Sequence, residues 1–223
     1  MSRIQTQQKI LDAAEGLFAE SGFNDTSLRQ ITSQAEVNLA AVNYHFGSKK
    51  ALIQAVLQRY LQIVMPRLEQ QFDALLARQQ PSTLSEVLAV FVQPLLELKQ
   101  VKPQGTTLFL QLLGRGYTDV QGHLRKFISH HYGSVLNKFV LLVQQSCPSL
   151  SNAEIFWRLH FSLGTVVFTM ASSEALFDIA AADYQEQADI ASVIRRLLPY
   201  LAAGIAAPTI DSKQLDLMAQ ATF

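Results

Sequence analysis

The chain has 223 residues, 49% of them hydrophobic and 16% charged, which suffices for a sizeable buried core in one or two units. Eighteen Lys and Arg balance eighteen Asp and Glu, so net charge names no partner, and the single cysteine, Cys147, excludes a disulfide framework or a cysteine metal cluster. With ten Gly and seven Pro, long regular elements are expected.

Arg3, Lys9, Asp12, Glu15 and Glu20 interrupt the stretch where a leader's apolar segment would lie. The longest uncharged apolar run, Leu159 to Ser173, is short of the ~20 residues that a spanning helix needs. A soluble, cytoplasmic protein without membrane partners is expected.

Helical periodicity governs the whole chain, and the fold class is read as all-α. Ile10, Ala14, Leu17 and Phe18 form the stripe of a first helix, with Gly22 placed as its C-terminal cap. Thr26 then reads as the cap of a short second helix carrying Leu28, Ile31 and Ala35. After a tight turn at Glu36-Val37, a third helix from about Leu39 to His45 turns Val42 inward. Gly47-Ser48 ends it and caps a fourth helix whose stripe runs through Leu52, Val56 and Tyr60, and which Pro66 should kink or stop. Two capping-box patterns, Thr83-x-x-Glu86 and Ser151-x-x-Glu154, start helices near 84–98 and 152–172. Helices near 105–115 and 119–146 lie between them, and a last one near 186–206 follows Ile190, Ile194, Leu197, Leu201 and Ile205. The expected division is 1–48, a three-helix head; 49–207, a helical body; and 208–223, a loosely ordered tail.

Two short helices around a turn are the geometry that lays the second in a DNA major groove. Asn38, Leu39, Ala40 and Ala41 open that second helix with side chains that permit close approach, and Asn43 can pair bidentately with adenine. Tyr44, His45, Ser48 and Lys49 can grip phosphates, and Thr26, Ser27 and Arg29 lie at the start of the preceding helix. Between residues 26 and 60, Arg29, Lys49, Lys50 and Arg59 face Glu36 alone, a local charge of +3. Any three-helix unit with a solvated face shares the periodicity; the aromatic run Asn43-Tyr44-His45-Phe46-Gly47-Ser48-Lys49-Lys50 is the more specific feature.

That run resembles the N-terminal signature of TetR-type transcriptional repressors, over roughly residues 6–60. The resemblance implies a non-enzymatic, DNA-binding homodimer with a diverged C-terminal sensing domain. One position departs: the family usually places Gly in the turn where this chain has Glu36, and a left-handed Glu there is strained by ~1 kcal/mol. Val37 to Val56 and Gln121-Gly122-His123-Leu124-Arg125-Lys126 look like the PsrA-type regulators of bacterial fatty-acid metabolism. This likeness implies a long-chain fatty acid or its acyl-coenzyme A thioester as effector, and no other cofactor. A TetR-type repressor of an efflux pump, sensing amphipathic or aromatic compounds, shares every N-terminal feature.

Aromatic and aliphatic residues crowd the C-terminal helices on more than one face, as covering on several sides requires. Core packing against a partner subunit explains this, and so does a cavity; the residues taken as cavity candidates are Phe109, Leu113, Phe127, Phe139, Trp157, His160 and Phe161. Arg115 and Arg125 are the candidate partners of an anionic head group. No metal site is expected, because His123, His130, His131 and His160 include no i, i+4 pair. Dimerisation is expected through the last two helices, near 152–172 and 186–206, as a four-helix bundle.

Overall fold

The computed structural model describes residues 2–117 and 122–209, excluding the side chain of Tyr117. Among them every regular element is a helix. The head consists of α1 (Arg3–Asp25), α2 (Leu28–Ala35) and α3 (Leu39–Phe46), closed by the first turns of α4 (Lys49–Leu76). Ile10, Ala14, Phe18, Ile31, Val42, Leu52 and Val56 are fully buried at their meeting point, so the stripes read from the sequence do converge. Gly22, expected as the C-terminal cap of the first helix, instead interrupts α1 with φ of 83°, and helix resumes as far as Asp25.

The body contains α5 (Leu84–Ala89), α6 (Val92–Leu96), a 3-10 turn (Glu97–Gln100), α7 (Gly105–Tyr117), α8 (His123–Ser146), α9 (Asn152–Ala171), α10 (Ser173–Tyr184) and α11 (Ile190–Ala206). α4 lies along α8, where Phe72, Phe91 and Phe139 form a ring cluster with centroids 5.0–5.7 Å apart. α7 runs between α1 of the head and α9 of the body. Its Gly114 permits that close approach, since an added Cβ would lie 2.2 Å from Val167 Cγ1. α11 packs on α9 and α5.

Four expectations are corrected. The single helix near 84–98 is broken at Val90-Phe91. The break puts Pro94 in the first turn of α6, where a missing N–H is harmless. Pro66, by contrast, does not stop α4, which continues in helical conformation to Leu76. α10 is absent from the sequence expectation; it begins without a side-chain cap, and its apolar residues Leu176, Phe177, Ile179 and Ala180 make a single face barely more than one turn long. The last helix starts at Ile190, later than expected, because Asp189 and Ser192 form a capping box there.

α8 begins at His123, contains a non-helical Tyr132 (φ −131°, ψ 16°), and its expected part before Gly122 lies outside the described residues, as does the tail from 210 to 223. No single helix among the described residues is long and apolar enough to cross a membrane.

Candidate nucleic-acid interface

α3 shows the surface that its sequence suggests. Val42 is fully buried, whereas Leu39, Ala40, Asn43 and Tyr44 are exposed and Ala41 and His45 are half-buried. The helix starts because Asn38 Oδ1 accepts the Ala41 backbone N–H at 2.8 Å, so the Asn38 side chain caps rather than reaching outward. It stops at Gly47, whose φ of 74° favours glycine and whose N–H donates to the Asn43 carbonyl at 2.9 Å. Ser48 Oγ then accepts the Ala51 N–H at 3.1 Å and begins α4. The Lys49 ammonium donates to the Asn24 carbonyl at 3.3 Å, tying the start of α4 to the end of α1.

Tyr44 is 69% exposed, an unusual setting for a large ring. It packs edge-on against His45 with centroids 5.2 Å apart, and the Arg3 guanidinium sits 5.4 Å from its ring centroid. Arg3 is 41 positions away in sequence, and neither composition nor spacing points to it. Arg29, Lys50 and Arg3 are all exposed around this face.

The start of α2 differs from the sequence reading. Ser27, not Thr26, is the N-cap: Ser27 Oγ accepts the Gln30 N–H at 3.2 Å while Gln30 Oε1 accepts the Ser27 N–H at 2.7 Å. Thr26 is 1% exposed and its hydroxyl donates to the carbonyls of Gly22 (2.7 Å) and Leu17 (3.1 Å). The hydroxyl is thus consumed inside the head, beside the break at Gly22. Glu36 is left-handed (φ 55°, ψ 44°), as the departure from glycine implied, and its carboxylate lies 3.7 Å from Lys9 of α1.

The seven cavity candidates have different settings. Phe109 is buried 5.6 Å from the Tyr60 ring, and Phe139 stacks on Phe72, while Leu113 and Phe127 are half-buried against the core. Trp157 and Phe161 face outward at 56% and 66% exposure, and His160 lies beside them with Nδ1 2.6 Å from the Phe156 carbonyl. Of the two candidate cations, Arg115 donates to the Glu20 carbonyl of α1 at 3.3 Å and Arg125 is exposed. Among the described residues no group of three His, Cys, Asp or Glu side chains could hold a metal ion.

Two polar constructions escaped the sequence reading. Glu15 is completely buried between Arg59 of α4 (2.8 Å) and Lys102, in the segment before α7 (2.5 Å). Burial and then the Glu15 carboxylate push the Tyr60 phenol far up from its ordinary value. Its one sequence signal is a carboxylate beside Ala14 on the apolar stripe. The second is Arg158, 9% exposed, whose guanidinium donates to Glu154 (3.0 Å) and to the terminal carbonyls of α11 at Ile205 (2.7 Å) and Ala207.

Residues 10–56 match the profile described as bacterial regulatory proteins of the tetR family, and residues 89–204 match the tetracyclin repressor-like C-terminal domain. The chain is 34% identical over 58 residues to the probable HTH-type transcriptional regulator YttP of Bacillus subtilis, a match covering 26% of this chain and 28% of that protein. It is 43% identical over 53 residues to the HTH-type transcriptional regulator SrpR of Pseudomonas putida, covering 24% and 25%. These matches thus span about a quarter of each relative's length.

In fold, the chain is similar to a HlyIIR variant with an alanine-substituted segment (TM-score 0.58, 20% identity, 91% of this chain and 98% of that one). It is also similar to NalD of Pseudomonas aeruginosa, described as the secondary repressor of the MexAB-OprM multidrug efflux pump (TM-score 0.56, 22% identity, 91% and 98%). Two family profiles in their expected order, on an all-helical chain with an outward-facing α3, lead to one assignment: this chain belongs to the TetR family of bacterial transcriptional regulators.

Proposed function

We propose that this protein is a repressor that binds a palindromic DNA operator as a homodimer and is released by a long-chain fatty acid or acyl-coenzyme A thioester. The observation that carries the DNA-binding part is α3, held by buried Val42 and presenting Leu39, Ala40, Asn43 and Tyr44 to solvent. Asn43 reads base edges, and Tyr44, His45, Ser48 and Lys49 hold phosphates, with Ser27 and Arg29 at the flanking strand. Dimerisation through α9 and α11 presents two such helices to half-sites one helical turn apart or a multiple of it. The effector assignment rests on the sequence likeness to PsrA-type regulators, and genes of fatty-acid metabolism are the corresponding targets.

Gel-shift titration of palindromic fragments over a salt series tests the first part. Binding should fall steeply with salt, and Lys49→Ala should reduce the salt slope by about 1. A flat salt response would remove the DNA-binding reading. Oleoyl-coenzyme A at saturation should then release the fragment; unchanged affinity would remove the effector assignment alone.

The likeness to NalD favours a second reading, in which the ligand is an amphipathic or aromatic compound and the target an efflux pump. Native mass spectrometry of protein purified from bacteria separates the two, because a copurified acyl chain supports the first.

A further inference from the structure

The first two turns of α1 lie outside the interior of the head. From Arg3 to Lys9 no side chain is buried, Ile4 is 78% exposed, and the first interior residue is Ile10. At a rise of about 1.5 Å per residue, roughly 10 Å of helix stands clear of the packing that holds the rest of α1. A helix end without a packed face frays unless local bonds fasten it. Here they do. Ser2 Oγ accepts the Gln5 N–H at 3.2 Å, Gln5 Oε1 accepts the Ser2 N–H at 2.9 Å, and the Thr6 hydroxyl donates to the Ser2 carbonyl at 3.3 Å.

The composition of this overhang selects what it can meet. Ser2 to Lys9 reads Ser-Arg-Ile-Gln-Thr-Gln-Gln-Lys, with two cations, three amides and no carboxylate, and the first acidic residue of the chain is Asp12. Amide and hydroxyl donors between cations suit an anionic polymer. A single exposed Ile4 makes no apolar face for a protein. Lys9 is engaged by the Glu36 carboxylate at 3.7 Å. Arg3 is exposed, and among the described residues no carboxylate pairs with it.

What Arg3 does meet is Tyr44. Its guanidinium sits 5.4 Å from the ring centroid, and His45 packs edge-on against the same ring at 5.2 Å. A ring held by two neighbours before a duplex arrives has less rotamer freedom to lose on binding, and the ring steadies the long Arg3 side chain in return. The cation–π contact spends none of the guanidinium's N–H donors, whose planar fork matches phosphate oxygens.

We infer that Arg3 is a DNA-contact residue: steadied on the Tyr44 ring, its guanidinium clamps a backbone phosphate at the edge of the groove that α3 enters, and it fixes that ring in place. α1 thereby joins the reading surface through its overhang. This rests on the DNA-binding reading above, and the experiment separates the two.

The probe is the duplex that the full chain enriches from a randomised pool. Fluorescence anisotropy over a salt series gives its dissociation constant and salt slope for the parent, Arg3→Ala, Arg3→Lys, Tyr44→Leu and Arg3→Ala/Tyr44→Leu. Both positions are exposed, so thermal unfolding should find each variant as stable as the parent. Arg3→Ala should weaken binding about tenfold per dimer at low salt and flatten the slope by about 1 for each protomer. Arg3→Lys should restore the slope but not the full affinity, since an ammonium keeps the charge and loses the planar fork. The double variant should lose less than the two single losses combined, because either substitution alone already breaks the shared contact.

A parent with a steep salt slope that Arg3→Ala matches in slope and affinity overturns the Arg3 contact and leaves DNA binding standing. A slope that Arg3→Lys does not restore overturns the phosphate clamp, and additive losses overturn the fixing of the ring. A pool from which the parent enriches no duplex overturns the DNA-binding reading, and the Arg3 contact with it.

Discussion

Replacing Arg59 with Met isolates the contribution of the buried carboxylate that joins head to body. Arg59 Nη1 bonds Glu15 Oε2 at 2.8 Å and its Nη2 bonds Asp12 Oδ1 at 2.8 Å. Glu15 is 0% exposed, so the variant leaves a carboxylate with no access to water and Lys102 as its remaining cation. Removing one partner of a buried pair costs about 3–5 kcal/mol, and the surviving Lys102 puts this case near about 3. For a chain of this length that corresponds to a fall in Tm of roughly 6–12 °C.

Lys102 is 35% exposed and solvent screens its charge, so Lys102→Ala should cost only about 1 kcal/mol. Thermal and urea unfolding at one fixed protomer concentration measure both. The double variant Glu15→Leu/Arg59→Met should recover most of the loss, because no charge then stays buried, while Asp12 is 44% exposed and can hydrate. An Arg59→Met variant within about 0.5 kcal/mol of the parent would refute the reasoning, since it would mean that the carboxylate is not held by that guanidinium.

Three other outcomes follow from local geometry. Glu36→Gly should raise stability by about 1 kcal/mol by relieving the left-handed strain, read as a higher Tm; a lower Tm would show that the Lys9 pair outweighs it. Arg158→Met should leave the Ile205 and Ala207 carbonyls uncapped and cost about 1–3 kcal/mol, with amide exchange accelerating over the last turn of α11. Glu86 is held at about 2 by hydrogen bonds from the Thr83 backbone, the Thr83 hydroxyl and Arg78, below the ordinary 4.5. Its contribution to starting α5 is therefore fully present above pH 4.5 and is lost as pH falls through about 2. A carboxyl titration followed by NMR should find its midpoint near pH 2.

The head was legible because its signals are local. Val42 alone points inward from α3 and turn residues bracket both ends, so spacing and capping chemistry settle the helix. Even there, Ser27 and Thr26 both carry hydroxyls, and only the tertiary structure shows that Thr26 turns inward to the Gly22 and Leu17 carbonyls while Ser27 caps. The body was less legible because its signals are not local. A stripe read on α7 or α9 says that a face is covered but not by what, which is why Phe109 lies in the core while Phe161 faces out. Arg115 donates to the Glu20 carbonyl, 95 positions away, a contact that no local signal announces. α10 lacks the side-chain cap that marks the start of α2, α3, α4, α5, α9 and α11, and its apolar set, Leu176, Phe177, Ile179 and Ala180, is too short a run to show a period.

α4 carries a consequence for how the chain can be cut and recombined. Leu52 and Val56, fully buried on its first turns, complete the packing of α1 and α3, while Leu68 and Phe72, three and four turns on, belong to the interior of the body. A fragment ending at residue 48 would lack one wall of its own interior. Grafting this reading head onto another sensor therefore calls for a splice within the shared rod, beyond Leu61, with both sides in helical phase.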